Sequence, residues 1–305
     1  MIFVRRSAEE PDSLSSAATV QQQQRAANYY ATWSPGDAGF GGFDRYKQND
    51  IKVELKRTFH QKCAYCEKKL EKGFFEVEHY RPKSAALGDP YPGYWWLALK
   101  WNNLLPTCPG CNKGLRQHIV TAEMSVSEVE GIQAAAPTTV HGKAVQFPVG
   151  GPRLLANDDN HDAEIPFIID PTRMDPCLEL HWRNDATYSV LEPSVGNGGP
   201  SMRGSETIRC LALNRIELVQ ARTAKLSFLK ATRERILQDL ETGLVTSSDP
   251  AILDLHLQYA MKGVDSLKLH AEPDQPFSAM AQAFVDDFAD ELREYIAMRT
   301  AVVEA

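Results

Sequence analysis

The chain has 305 residues, 43% hydrophobic and 24% charged, with 33 Lys and Arg against 40 Asp and Glu for a net charge of −7. That balance excludes a disordered, collagen-like or coiled-coil chain, and no apolar run approaches the roughly 18 residues of a membrane span. The charge is uneven: residues 50–116 carry twelve Lys and Arg against seven Asp and Glu, a local +5 that leaves −12 elsewhere. A basic module in an acidic body suits local phosphate binding.

Met1-Ile2-Phe3-Val4-Arg5-Arg6 turns acidic at Glu9 and Glu10 and lacks the apolar stretch of a signal peptide. A soluble, cytoplasmic protein without membrane contact is expected. Residues 2–4 read as a short strand, and Ala26–Trp33 as a short helix after the polar run Gln21–Gln24. Ser34–Gly42 is a Gly- and Pro-rich loop. Asn49 or Asp50 is expected to cap a helix with Ile51, Leu55 and Phe59 on one face. Phe75 and Val77 should share one face of a strand, with Glu76 and Glu78 on the other.

Residues 120–164 read as irregular, with turn residues at Asn157-Asp158-Asp159-Asn160. Ile165–Ile169 is β-rich, and the alternation at Leu178, Leu180, Trp182 and at Tyr188, Val190 predicts a small hairpin. Beyond the Gly/Pro/Ser-rich link at 193–204 the chain should be helical. Ser205 is the expected cap of 206–213. A long helix over about 215–241 should bury Leu218, Val219, Leu226, Leu229, Ile236 and Leu240, and two more helices are predicted near 250–262 and 277–303.

Two CxxC pairs, Cys63-Ala64-Tyr65-Cys66 and Cys108-Pro109-Gly110-Cys111, are separated by 41 residues. Each CxxC turn aims two thiolates at one cation, and two turns close a tetrahedral structural Zn²⁺ site. A redox motif needs one pair, usually on a thioredoxin-like pattern missing here. Cys177 and Cys210 stand alone and read as free core thiols.

Between the pairs lie Glu78-His79 and Asn103, and Asn112 follows the second pair. Phosphodiester hydrolysis explains why these types would meet. A neutral imidazole, His79, can take the proton of an attacking water near pH 7. A hard divalent cation, Mg²⁺ or Mn²⁺, can stabilise the leaving oxygen, and it prefers oxygen ligands such as Glu78 and Asn112. Glu76 is a runner-up ligand. Asn103 would fix the loop that orients the ring. Arg81, Lys83, Lys113 and Arg116 flank the set and are candidate phosphate contacts. Trp95, Trp96 and Trp101 read as core of the zinc module.

Cys63, Cys66, Glu78-His79, Asn103-Leu104, Cys108, Cys111-Asn112 and Lys113 resemble the HNH, or ββα-metal, nucleases. The resemblance implies His79 as general base, Asn103 as loop-orienting residue, and Glu78 and Asn112 as ligands of the catalytic ion. A closer resemblance runs through Cys63–Glu67, Glu78–Lys83, Tyr94–Ala98 and Trp101–Leu105, then through Asp170-Pro171, Thr207-Ile208, Leu213-Asn214-Arg215 and Arg222. These tracts look like the retron/Septu-associated, PtuB-like HNH proteins. They imply a bacterial antiphage effector working with a partner ATPase. Residues 117–146 depart from shorter members, whose Phe-Pro after the second knuckle falls here at Phe147-Pro148.

The expected architecture is α+β. A helical N-terminal extension (1–49) precedes a zinc-stabilised HNH module (50–120). An irregular insertion (121–164), a small β segment (165–204) and a mostly helical C-terminal region (205–305) follow. The expected activity is metal-dependent cleavage of nucleic acid, DNA favoured. Two alternatives stay open: a non-catalytic zinc-ribbon adaptor for nucleic acid or protein, and an HNH ribonuclease acting on tRNA or other RNA.

Overall fold

The computed structural model describes all residues except 72–73, 86–89, 157, 159, 247–248 and 304–305, so the turn at 157–160 lies partly outside the described residues. Most of the helices and small two-stranded sheets pack on a main apolar core that runs from Met1 to Leu292. Among the described residues, no helix is long and apolar enough to cross a membrane.

The N-terminal residues form no strand. Val4 N donates to Pro171 O at 2.8 Å, but Pro171 has no N–H to return the bond, so no ladder develops. Helix α1 (Asp12–Ser15) leads directly into α2 (Ala17–Tyr30), which starts earlier than expected. Ser16 caps α2 by accepting from Thr19 N at 3.3 Å, and the Gln run falls inside the helix because Gln is a good helix former. Helix α3 (Asn49–Thr58) has Gln48, not Asn49 or Asp50, at its cap position. Asp50 instead accepts from Ser13 N (2.9 Å) and Ser13 Oγ (2.7 Å), tying α1 to α3. Ile51, Leu55 and Phe59 are buried, as their spacing predicts.

Strand β1 (Glu76–His79) pairs antiparallel with β2 (Leu104–Thr107), in the register Glu78↔Leu105 and His79↔Leu104. The short helix α4 (Pro109–Asn112) follows β2, with Pro109 at the first helical position, where its missing N–H costs nothing. The stretch expected to be irregular contains an ordered unit. Strand β3 (Leu115–Arg116) pairs with β4 (Val140–His141), and between them α5 (Val126–Gln133) opens with a Ser125/Glu128 capping box. Val129 of α5 packs into a second small core with Val120, Val190, Ile216 and Val219.

Ile165–Ile169 is not a strand: it makes one isolated bridge, Val149↔Pro166, and proline cannot continue a central ladder. The predicted hairpin exists as β5 (Leu180–Trp182) against β6 (Leu191–Pro193), with its second arm later than expected, and β7 (Val195–Gly196) pairs with β8 (Gly199–Pro200). Helix α6 (Met202–Cys210) starts earlier than expected. Ser201 caps it by accepting from Gly204 N at 2.9 Å, and Ser205 lies inside, its hydroxyl donating back to Ser201 O. Helix α7 (Ile216–Thr246) buries all six side chains predicted for its inner face and packs against α8 (Pro250–Lys268) and α9 (Ser278–Val303).

One buried ion cluster ties the two ends of this assembly. Glu67 meets the Met1 ammonium (2.7 Å) and Lys62 Nζ (2.9 Å), and it accepts from Ser278 Oγ (2.5 Å) and Ala279 N (3.2 Å) at the start of α9. Burial alone would raise the Glu67 pKa, but the Met1 ammonium and Lys62 outweigh it and bring it down from 4.5 to about 2. A depressed folded pKa contributes stability that is complete above the ordinary carboxylate value and is lost as pH falls from about 4.5 towards 2. Glu67→Gln leaves two buried cations without their anion and should cost about 3–5 kcal/mol. Urea melts at pH 7 check this, and a variant as stable as wild type contradicts it.

Candidate metal centre and adjoining acid–base site

The first CxxC turn follows α3. Cys63 N donates to Lys68 O (2.9 Å) and Glu67 N to Cys63 O (3.0 Å), which curls Cys63 and Cys66 onto one side. In the second turn Cys111 N donates to Cys108 O (3.1 Å) within the first turn of α4. All four cysteines are buried, and their sulfurs lie within 4.8 Å of one another. Sulfurs held tetrahedrally at about 2.3 Å from zinc are about 3.8 Å apart; Cys66 Sγ and Cys108 Sγ are 3.7 Å apart. The donor set and spacing fit Zn²⁺.

Arg215, at the entry to α7, covers this cluster. Its Nη1 lies 3.4 Å from Cys111 Sγ, and its Nη2 lies 3.4 Å from Cys108 Sγ and 3.6 Å from Cys66 Sγ. Burial lowers the Arg215 pKa, but the negative sulfurs of Cys111, Cys66 and Cys108 outweigh it and raise the value overall. Four thiolates and one Zn²⁺ carry a charge of −2, so a buried guanidinium offsets half of it. Gly110 permits the approach: a Cβ there would stand 2.8 Å from Arg215 Nε.

The neighbouring tract explains the rest of its helical motif. Asn214 pairs with the Leu191 backbone in both directions, at 2.9 and 2.7 Å. Arg222 donates to Asn214 Oδ1 and Ser189 O, each at 3.1 Å, and stacks over Trp182.

Glu78 and His79 end β1 beside the cluster, both buried. His79 Nε2 lies 2.9 Å from Ala98 O. A carbonyl only accepts, so Nε2 carries the proton and Nδ1 keeps its lone pair. Burial, followed by the charge on Lys83, pushes the His79 pKa down to about 3, so the ring is neutral at pH 7. The Tyr46 ring packs edge-on against the imidazole, with centroids 4.5 Å apart.

Burial raises the Glu78 pKa against the opposing pull of Lys143. Lys143 Nζ lies 2.6 Å from Glu78 Oε1 and donates to His79 O at 3.0 Å. Oε1 is buried, and the Lys143 ammonium is the partner the structure gives it. Lys143 reaches the site from the insertion because its own N donates to Cys111 O (2.9 Å) and Ala144 N to Asn112 O (2.6 Å). Gly142 is needed for that approach: its φ is +122°, and a Cβ would sit 1.9 Å from Lys113 O.

The other predicted residues divide. Asn103 is buried and accepts from Arg81 N (2.8 Å) while donating to Arg81 O (3.0 Å) and Leu97 O (3.1 Å), so it does brace the segment after His79. Asn112 does not meet Glu78; its Nδ2 donates to Glu76 Oε2 at 2.8 Å. Glu76 also pairs with Lys113 at 2.5 Å. Arg81 is not offered to a phosphate. It is buried, with its Nε 2.7 Å from Glu164 Oε2, and Glu164 also accepts from Tyr94 Oη. Lys83 is half-buried and Arg116 is exposed. Trp101 is buried in the core, whereas Trp95 and Trp96 are half-buried against it, Trp95 stacking on Tyr30 of α2 with centroids 4.9 Å apart. Cys210 is buried, whereas Cys177 is exposed and not a core thiol.

Lys143, Arg215 and the Tyr46–Lys47 pair carry roles that their local sequence does not mark. Arg215 lay in the quoted helical tract without a role. Nothing local marks the others, which reach the site only through tertiary contact.

The fold and site define a mixed helical and small-sheet protein built around a four-thiolate cluster that can hold zinc. No protein-family model and no solved structure matches the chain. Among curated proteins it is 28% identical over 267 residues to the Septu protein PtuB of Bacillus mycoides (strain KBAB4), covering 83% of this chain and 79% of that protein. It is 44% identical over 64 residues to the Septu protein PtuB of Bacillus thuringiensis, 20% of this chain and 22% of that protein. It is also 26% identical over 175 residues to the Septu protein PtuA of Bacillus mycoides (strain KBAB4), 55% of this chain and 20% of that protein. Similarity to PtuB thus extends over most of the chain and supports the Septu resemblance.

Proposed function

We propose that the chain is a metal-dependent endonuclease of the HNH type, the effector of a bacterial antiphage system that acts with an ATPase partner. The observation that carries this reading is the His79 ring: buried, neutral, protonated on Nε2 by its bond to Ala98 O, and set next to a buried carboxylate beside the thiolate cluster. A structural adaptor has no use for a desolvated Glu-His pair. The similarity to Septu proteins supports a defence-system component with a partner subunit.

His79 Nδ1 takes the proton from the attacking water, and Asn103 holds the following segment so that the ring keeps its orientation. Glu78 and the amide oxygen of Asn112 are hard donors that suit Mg²⁺ or Mn²⁺; Glu78 Oε1 now faces Lys143 and Asn112 faces Glu76, so a bound ion would take the place of Lys143 on Glu78. Such an ion, when bound, supplies stabilisation of negative charge on the leaving oxygen. Glu76, bonded to Asn112, orients that amide. The thiolate cluster keeps the strand pair and α4 in register.

The purified protein, alone and with its ATPase partner, is to be incubated with DNA and with RNA under Mg²⁺, Mn²⁺ or EDTA. Metal-dependent cleavage, DNA preferred, is expected. Binding that persists with no cleavage of either polymer under any metal would leave the zinc-ribbon adaptor in its place.

A further inference from the structure

Two lysines meet at one aromatic ring beside His79. Lys47 ends the 3-10 turn Arg45–Lys47, and its Nζ lies 5.4 Å from the centroid of the Tyr46 ring. Lys83, four residues beyond His79, brings its Nζ to 5.3 Å from the same centroid. The ring is buried and packs edge-on against the His79 imidazole. Tyr46 therefore links both ammonium groups to the proposed base.

The other lysines near the pair are committed, Lys143 to Glu78 and Lys113 to Glu76. Lys47 and Lys83 make no ion pair among the described residues. Lys83 is half-buried, and burial lowers its pKa against the opposing pull of Glu78. Like charges held near one another and partly out of water raise the free energy of the site until an anion arrives. Ring contact lowers that cost and fixes the two stems. What remains is a place for one anion beside a neutral imidazole, and a phosphodiester has the charge and the non-bridging oxygens to accept from two ammonium groups.

We infer that Lys47 and Lys83, steadied by the Tyr46 ring, form the seat for a backbone phosphate of the nucleic-acid strand at His79. The inference rests on reading His79 as the base of a nuclease. It brings the N-terminal extension into the site through Lys47, and it moves the phosphate contact from Arg81, which Glu164 holds, to Lys47.

The test is equilibrium binding of a labelled DNA duplex in EDTA across a salt series, for the full chain. The variants are Lys47→Ala, Lys83→Ala, the double variant, Lys47→Arg and, as control, Lys262→Ala on the exposed side of α8. The double variant should reduce the slope of log K against log salt by about 0.9, the value of the one phosphate contact on a duplex. Each single alanine variant should weaken binding and lose part of that slope, while Lys47→Arg and Lys262→Ala keep the wild-type slope. Lys47 is exposed, so its variant should keep the fold even if Lys83→Ala melts early, and Lys83→Gln then replaces the latter. A wild-type slope in the double variant overturns the inference and leaves the nuclease reading standing. Wild-type protein that binds neither the duplex nor RNA at low salt, alone or with its partner, overturns both.

Discussion

Cys63→Ser, or removal of zinc by a chelator, is expected to unfold the segment that carries Glu78 and His79. Strands β1 and β2 have four residues each, and an isolated two-stranded pair is marginal in water. Part of its bracing comes from the core and from Arg6, which donates to Leu104 O, and part from the two CxxC turns. Ala64 N donates to Pro106 O of β2 at 2.8 Å, and Lys143 N donates to Cys111 O at 2.9 Å. A structural zinc supplies on the order of 10 kcal/mol of local folding free energy, which exceeds anything so short a pair can supply. Loss of one thiolate should release most of the metal and flatten the thermal transition of this region. Metal content by mass spectrometry and melting by circular dichroism read the two effects. A Cys63→Ser protein with wild-type zinc and wild-type melting would rule out a structural thiolate centre.

His79→Ala should lower the cleavage rate at least about 100-fold, the low end of what a general base contributes. That factor corresponds to about 2.7 kcal/mol of transition-state free energy. The ring makes one hydrogen bond, to Ala98 O, and that carbonyl faces the space the alanine leaves. Some loss of stability is therefore expected, about 1–3 kcal/mol if the carbonyl stays dry. The rate is to be measured well below the melting temperature and compared with Asn103→Ala, which frees the Arg81 segment and leaves the ring. Asn103→Ala should slow cleavage less. A His79→Ala protein that cuts at the wild-type rate removes His79 from the mechanism.

What could be read from the sequence was local. The CxxC pairs were legible because two residues of spacing fix the direction of both sulfurs. Strand β1 was legible from the alternation at 75–78, and α7 from apolar residues that recur on one face over many turns. Positions that depend on distant partners were not. Arg81 looks like a free charge next to the site until Glu164, 83 residues later, is brought against it. Lys143 is one lysine in a tract without periodicity, and its role appears only when the loop folds back onto α4. Ser201 rather than the expected Ser205 caps α6 because its extended backbone ends the preceding strand segment there, which composition does not encode. Asn214 takes up the Leu191 backbone from outside the hairpin, a partner that alternation does not encode.

The guanidinium over the thiolates has a consequence for biosynthesis. All four sulfurs have been translated once residue 111 is made, 104 positions before Arg215. A nascent chain that captures zinc at that moment holds a dianionic complex with no cation laid over it. The cluster gains the guanidinium that offsets half of this charge only after the ribosome has delivered the entry to α7. Premature termination within that interval therefore yields a fragment with every ligand and no counter-charge, the form most open to oxidation and to metal exchange.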